Sequence, residues 1–384
     1  MQHRLSALQR IALLYLGAVA WMPATLLPLD MSEASSRFGL TEHETGWAAS
    51  AVLFGLAIAG IIMGGRVASV SKRTCAIGAQ IIAVIACIIS LTTNDFAIFI
   101  ASKIAVAIAI GVTVACLYGL SSLIPNPEKL FGQIAVAMSI LFSVVLYLIP
   151  VSMSRMGPKT VDIFELLLVA VGLSAAVVFP NVNARSQVAS GKGFQNMPAI
   201  AGILVCAFAL YLSQAVSYSY SESAANRFKL SEEELGLVFM SIPLLQLPAG
   251  IFVTWLGKRV GFFKPIAAGH IILLACSFGM YCVDSRATFI ISMSLLSLGA
   301  TVVTPYLVAT ATKIDATGRG AAISGSVSNL GYAAGPAVAG MALKAGSLPA
   351  VGWLSAVALI IGLTAICGVL RKSVGSQKII PLEG

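Results

Sequence analysis

Lys103 is the one formal charge set well inside an apolar run of this chain. Counting inward from Asp95 at about 1.5 Å per residue places it about 12 Å below the nearer face of a membrane. A lysine at that depth costs about 2.5 to 3.5 kcal/mol on insertion scales, so it should face a wet cavity or a partner. It could attract an anionic group or tune a nearby acid; the alternative is a lysine that snorkels outward. Polar side chains at similar depth outline a central pocket: Trp21, Thr25, Ser139, Ser143, Gln246, Thr301, Thr304, Ser328 and Asn329. Tyr211, Gln214, Tyr218 and Glu222 add a stripe at helical spacing. Flat aromatic faces with polar tips, beside amides, suit a drug-sized organic solute. For any one of these residues, a helix-to-helix hydrogen bond is the competing reading. Proton coupling needs a carboxyl group that changes state, and Asp30 and Glu222 are the candidates, both near outer ends of spans and both readable as plain surface acids.

Enzyme chemistry finds no foothold. Neither HExxH nor GxSxG occurs, the three histidines stand singly, and no CxxC links the seven cysteines, so neither a metal nor a cofactor is expected.

These side chains need long apolar elements to hold them. With 58% hydrophobic and 10% charged residues, the chain has no ordinary water-facing surface. Twelve apolar stretches of about 20 residues, each enough to cross a hydrocarbon core, can be read. They lie at 11–30, 46–65, 75–92, 96–120, 130–150 and 162–180, then 198–220, 233–256, 264–282, 287–310, 320–341 and 351–370. Continuous runs of this length predict helices and not barrel strands. The expected fold class is an all-α integral membrane protein of twelve transmembrane helices.

The net charge of +9 is explained by where the charges lie. With the N-terminus inside, 16 of the 24 Lys and Arg fall in cytoplasmic segments. The acids Asp30, Glu33, Asp162, Glu165 and Glu222 fall outside with most of the others. The positive-inside rule then puts both termini in the cytoplasm, with the protein in the inner membrane, and removes nucleic acid as a partner. The first span resembles a secretory signal, but its counterpart in the second half argues for its retention.

Residues 37–61 recur 190 positions later. Arg37-Phe38, Leu40-Thr41-Glu42 and Gly46 return as Arg227-Phe228, Leu230-Ser231-Glu232 and Gly236, and Ala59-Gly60-Ile61 as Ala249-Gly250-Ile251. The chain therefore divides into two pseudo-symmetric six-helix bundles, 1–180 and 198–384, joined by a polar, turn-rich cytoplasmic linker at 181–197. Two hydrophobic copies with a binding site between them is a secondary-transporter layout. Pro23, Pro28, Pro243, Pro248, Pro305 and Pro336 interrupt spans around that site and could permit rocking.

Between spans 2 and 3, Gly64-Gly65-Arg66-Val67-Ala68-Ser69-Val70-Ser71-Lys72-Arg73 resembles the G-x-L-A-D-R-x-G-R-R signature of the major facilitator superfamily. Thr254 to Gly261 is similar at the equivalent place, with Leu256, Arg259 and Gly261 kept. The acidic fifth position is Ala68 in one copy and Lys258 in the other. The resemblance implies a cytoplasmic gate at Gly64, Lys72, Arg73, Lys258, Arg259 and Gly261, though without its usual acid. Lys103 stands where many members carry an arginine, and Gly331 to Pro336 resembles the family's G-x-x-x-G-P antiporter element, displaced from span 5 to span 11. It further implies a monomeric, proton-coupled carrier of a small organic solute working among membrane lipids. Efflux of an amphiphilic metabolite or drug is the first reading, resting partly on the lack of a deep acidic pair. The other is uptake of a small organic anion with Lys103 as its partner.

Overall fold

The computed structural model describes residues 5–66, 70–121, 127–180, 197–256, 260–314 and 319–376. Every regular element among them is helical. The first half contains α1 (Ala7–Val19), α2 (Met22–Thr25), α3 (Leu27–Phe38), α4 (Glu42–Arg66), α5 (Lys72–Thr92), α6 (Phe96–Ser121), α7 (Pro127–Met156) and α8 (Thr160–Val177). The second contains α9 (Met197–Ser219), α10 (Ser221–Asn226), α11 (Glu232–Leu256), α12 (Phe263–Tyr281), α13 (Arg286–Ile314), α14 (Arg319–Ala345) and α15 (Leu348–Ser376). Of the linker read at 181–197, residues 181–196 lie outside the described residues.

Eleven helical stretches among the described residues are long and apolar enough to cross a membrane. The predicted span at 320–341 is not one of them. Its helix α14 has 27 residues, but Ser324, Ser326, Ser328 and Asn329 dilute its apolar character. The first span, predicted as one run, is broken into three. Trp21 and Leu26 stand at the breaks, and Pro23 and Pro28 occupy first-turn positions of α2 and α3, where a missing N–H costs nothing.

Local chemistry fixes the helix ends. Ser6 and Gln9 form a capping box at α1, and Ser71 caps α5. Thr41 with Glu44 caps α4, and Ser231 with Glu234 caps α11 by the same reciprocal bonds. These boxes sit 190 residues apart, and the same shift relates many tertiary contacts. Arg37 Nη2 donates to the carbonyls of Ser90 and Thr93 at 3.1 and 2.9 Å; Arg227 Nη2 donates to those of Met280 and Val283 at 3.0 and 3.4 Å. Asp95 caps Ile98 as Ser285 caps Thr288. Gly172 abuts the Gln80 side chain as Gly362 abuts His270. Gly39 ends α3 at φ 64, and its counterpart Lys229 keeps the left-handed backbone at φ 48 without being glycine.

The halves meet chiefly through two helix pairs, α4 with α14 and α7 with α11, and α3 also touches α9 and α10. Small residues allow the approach. A Cβ on Gly46 would lie 2.5 Å from the Pro336 carbonyl oxygen, and one on Gly236 would lie 2.9 Å from that of Tyr147. Both glycines lie toward the end of the molecule opposite the first residues of α1 and the last of α15, here called the distal end. Farther along the same helices, Gly60 and Gly250 have nothing within 4 Å of such a Cβ among the described residues. The halves touch closely at the distal end and stand apart toward the other.

Candidate functional site

The separation leaves a cavity of about 460 Å³ between the halves. From the first half it is lined by Trp21, Thr25 and one face of α7, namely Met138, Phe142 and Leu146. The second half contributes Tyr211, Gln214 and Tyr218 of α9, Gln246 of α11, Thr301 and Thr304 of α13, and Tyr332 of α14. No Asp, Glu, Lys, Arg or His is among the lining residues. Tyr211 bonds the Thr304 hydroxyl at 3.0 Å and meets Tyr332 edge-on, with ring centroids 6.5 Å apart. The distal floor is polar. Tyr218 donates to the Thr25 carbonyl at 2.7 Å and Tyr332 to that of Ala24 at 3.4 Å. Farther out, Tyr220 donates to the Glu42 carbonyl and the Ala337 amide donates to Ser50 Oγ at 2.9 Å. All four bridges cross between the halves.

Trp21, Thr25, Tyr211, Gln214, Tyr218, Gln246, Thr301 and Thr304 line this one cavity. Lys103, Ser139, Ser143, Glu222, Ser328 and Asn329 do not. Ser139 and Ser143 are buried on another face of α7, where Ser143 returns its proton to the Ser139 carbonyl. Asn329 is absent from the lining, and Ser328 bonds its own helix at Ser324. Lys103 also lies elsewhere. Tyr332, Ser297, Pro243 and Pro305 line the cavity without having been singled out for binding. Tyr332 sits one residue after Gly331 in the family-like motif, and the stripe of α9 had no partner helix in the sequence to point to it.

Lys103 is the hub of a buried ionic cluster. Its Nζ lies 2.8 Å from Asp30, 2.9 Å from Asp162 and 2.6 Å from Glu165. Arg37 Nη1 joins Glu33 at 2.5 Å to Asp162 at 2.6 Å, and Ser90 donates to Asp162 at 2.7 Å. The placement of Glu33, Asp162 and Glu165 outside the membrane is corrected here: all three are buried, Glu33 and Asp162 completely. Asp30 is no surface acid, and the absence of a deep acidic pair is overturned. Hydropathy put Asp162 and Glu165 outside because they fall in the first turns of α8, but packing of α8 on α5 covers them. A void of about 30 Å³, one water in size, touches Asp30, Lys103 and Glu165.

The second half answers this cluster with hydroxyls. At the 190-residue shift, Lys103, Asp162, Glu165 and Cys87 become Met293, Gly352, Ser355 and Ser277. Ser213 bonds Ser355 at 2.5 Å, Ser217 bonds Ser277 at 2.7 Å, Ser355 bonds Ser277 at 2.8 Å, and Tyr281 donates to the Ser217 carbonyl at 2.6 Å. One half carries buried charge and the other a neutral network.

Glu222 lies on α10, just past the end of the α9 span. Its Oε2 is buried without a donor among the described residues, and burial pushes the carboxyl up to about 8. Of the gate residues, Lys258 and Arg259 lie outside the described residues, and Gly64 falls in the last turn of α4. Lys72 is buried in the first turn of α5 beside half-buried Arg73, and Gly261 turns the chain at φ 69.

Two family models match the chain, one on each half. That described as Major Facilitator Superfamily covers residues 202–383, and that described as Sugar (and other) transporter covers 9–119. No curated protein sequence matches. A variant of the nucleoside transporter NupG is similar in structure, with TM-score 0.76 and 14% identity over 94% of this chain and 99% of its own. The human organic anion transporter MFSD10 (TETRAN) gives 0.68 and 16% over 95% and 100%. A variant of the peptide transporter POT in complex with alafosfalin gives 0.72 and 13% over 94% of each chain. At these identities the likeness speaks for the fold. Taken with the Major Facilitator Superfamily match on the second half and the transporter match on the first, it supports a secondary transporter of the major facilitator superfamily.

Proposed function

We propose that this protein carries a small organic solute through the central cavity by alternating access, driven by the proton gradient, and that it exports an amphiphilic metabolite or drug. The observation that carries the reading is the cavity itself: aromatic rings and amides, no charge, and a distal floor made of breakable hydroxyl-to-carbonyl bonds between the halves. Such a floor can part without stranding a charge. Two six-helix bundles, 1–180 and 198–384, rock about it as one monomer in the inner membrane, with both termini cytoplasmic.

Coupling falls to the first half. Asp30 sits on α3, which continues from the helix that lines the cavity, and reaches Lys103 with Glu165 beside it. A change of protonation there alters the hold of Lys103 on α3. The hydroxyl network of the second half holds no carboxyl.

Uptake of an organic anion is the weaker reading. Lys103, its intended partner, already meets three carboxylates and is not on the cavity wall. A thermal-shift screen of the purified protein over organic acids, drugs and siderophore-like compounds separates the two. Neutral or cationic amphiphiles should raise the melting temperature, and Tyr211→Ala should remove the rise. A rise confined to anions, and lost in Lys103→Ala, would replace export with anion uptake.

A further inference from the structure

The charged cluster does not balance. Asp30, Glu33, Asp162 and Glu165 face only Arg37 and Lys103, so full ionisation would leave two negative charges in a buried site. Uncompensated buried charge costs several kcal/mol, and carboxyls escape it by taking protons. The geometry indicates where. Glu33 Oε1 and Asp162 Oδ2 share Arg37 Nη1 at 2.5 and 2.6 Å, and Asp30 Oδ1 and Glu165 Oε2 share Lys103 Nζ at 2.8 and 2.6 Å. Ionised carboxylates only accept and repel one another, so two crowded onto one donor are relieved by a proton on one of them. Glu33 Oε2 is also buried with no donor among the described residues, an orphan that a proton would turn into a donor.

Among the described residues no other cation lies within 4.0 Å of these carboxyls. Helix α3 supplies Asp30, Glu33 and Arg37; α6 supplies Lys103; α8 supplies Asp162 and Glu165; α5 adds the neutral Ser90 and the Cys87 thiol. We propose that in this conformation the cluster holds two protons, one shared within Glu33–Asp162 and one within Asp30–Glu165. The cluster is then neutral, with two cations, two carboxylates and two carboxylic acids. Resting on the proton-coupled reading, the same two protons set a ceiling of two per transport cycle.

Infrared spectroscopy of the full chain in phosphatidylcholine vesicles, recorded in H₂O and D₂O at neutral pH, counts these protons. A Glu222→Gln background removes the other buried carboxyl. Two protonated-carboxyl bands should appear; Glu33→Gln should remove one and Glu165→Gln the other. No band, or a single band, in the background protein overturns the proposal, and that count stands even if a cluster variant fails to fold. Two bands that never shift in D₂O would confirm the count and contradict the coupling role, so the two readings fail separately.

Discussion

At the residue scale, the account turns on whether Lys103 is a hub or a tolerated surface charge. A lysine that snorkels outward can be replaced within about 0.5 kcal/mol. Removing one partner of a buried ion network costs about 3 to 5 kcal/mol, because the remaining charges stay buried. Lys103→Ala should therefore lower stability by about 3 to 5 kcal/mol in detergent unfolding, and adding Glu165→Gln should restore part of the loss. Glu222 gives a second test. Its carboxyl titrates near 8 when the distal end is closed. An exposed glutamate titrates near 4.3. Between those values the closed form binds more protons, so raising the pH across that window favours opening, with no further change above about 8. Glu232 of α11 adds to the effect by repulsion, while Asp30, Glu33 and Arg37 of α3 are engaged in the cluster, and the Tyr218, Tyr220 and Tyr281 hydroxyls each donate to a carbonyl. Spin-label distances across the distal end should lengthen from pH 5 to pH 8, and Glu222→Gln should reduce the lengthening. Lys103 was legible in sequence because a lone charge in an apolar run must have a reason. Its partners were not, since Asp162 and Glu165 occupy the first turns of a helix and hydropathy cannot see what packs over them.

At the element scale, the repeat was legible and its consequences were not. The 190-residue shift is visible in Arg37 and Arg227, but not that each guanidinium clasps two carbonyls at the end of an equivalent helix. The serine network had no signal, because isolated serines in apolar spans look like packing residues. Symmetry also exposes a local misfit. Lys229 holds the left-handed backbone that Gly39 adopts freely at the matching position, and that conformation costs a side-chain-bearing residue about 1 to 2 kcal/mol. Lys229→Gly should raise the melting temperature, a gain of about 1 kcal/mol once the added freedom of the unfolded chain is subtracted. Gly46 should behave in the opposite way. A methyl there meets the Pro336 carbonyl and the Tyr220 hydroxyl at 2.5 Å, while one at Gly60 meets nothing. Overpacking of this kind costs about 1 to 3 kcal/mol. Gly46→Ala should shift the population toward the distal-open form about 5- to 150-fold, read from thiol accessibility at the distal end, and Gly60→Ala should leave it unchanged.

At the scale of the whole molecule, composition and repeat sufficed for the helical membrane fold and the two-half plan. They did not reveal which end is closed, because the same glycines would serve either state. That is decided by contacts that run through distant parts of the chain, such as Tyr332 to Ala24 and Ser50 to Ala337. Rocking of the halves about the cavity requires the two ends of the α4–α14 contact to open in turn. The most direct measurement uses spin labels at the exposed positions Glu44 and Lys344 for the distal end, and Ile62 and Ile323 for the other. Both distances would be followed in lipid as pH is varied and Gly46→Ala is introduced. Alternating access predicts opposite changes: whenever the Glu44–Lys344 distance lengthens, the Ile62–Ile323 distance shortens. Both distances long in the same molecules, or an Ile62–Ile323 distance that ignores opening at the distal end, would contradict it.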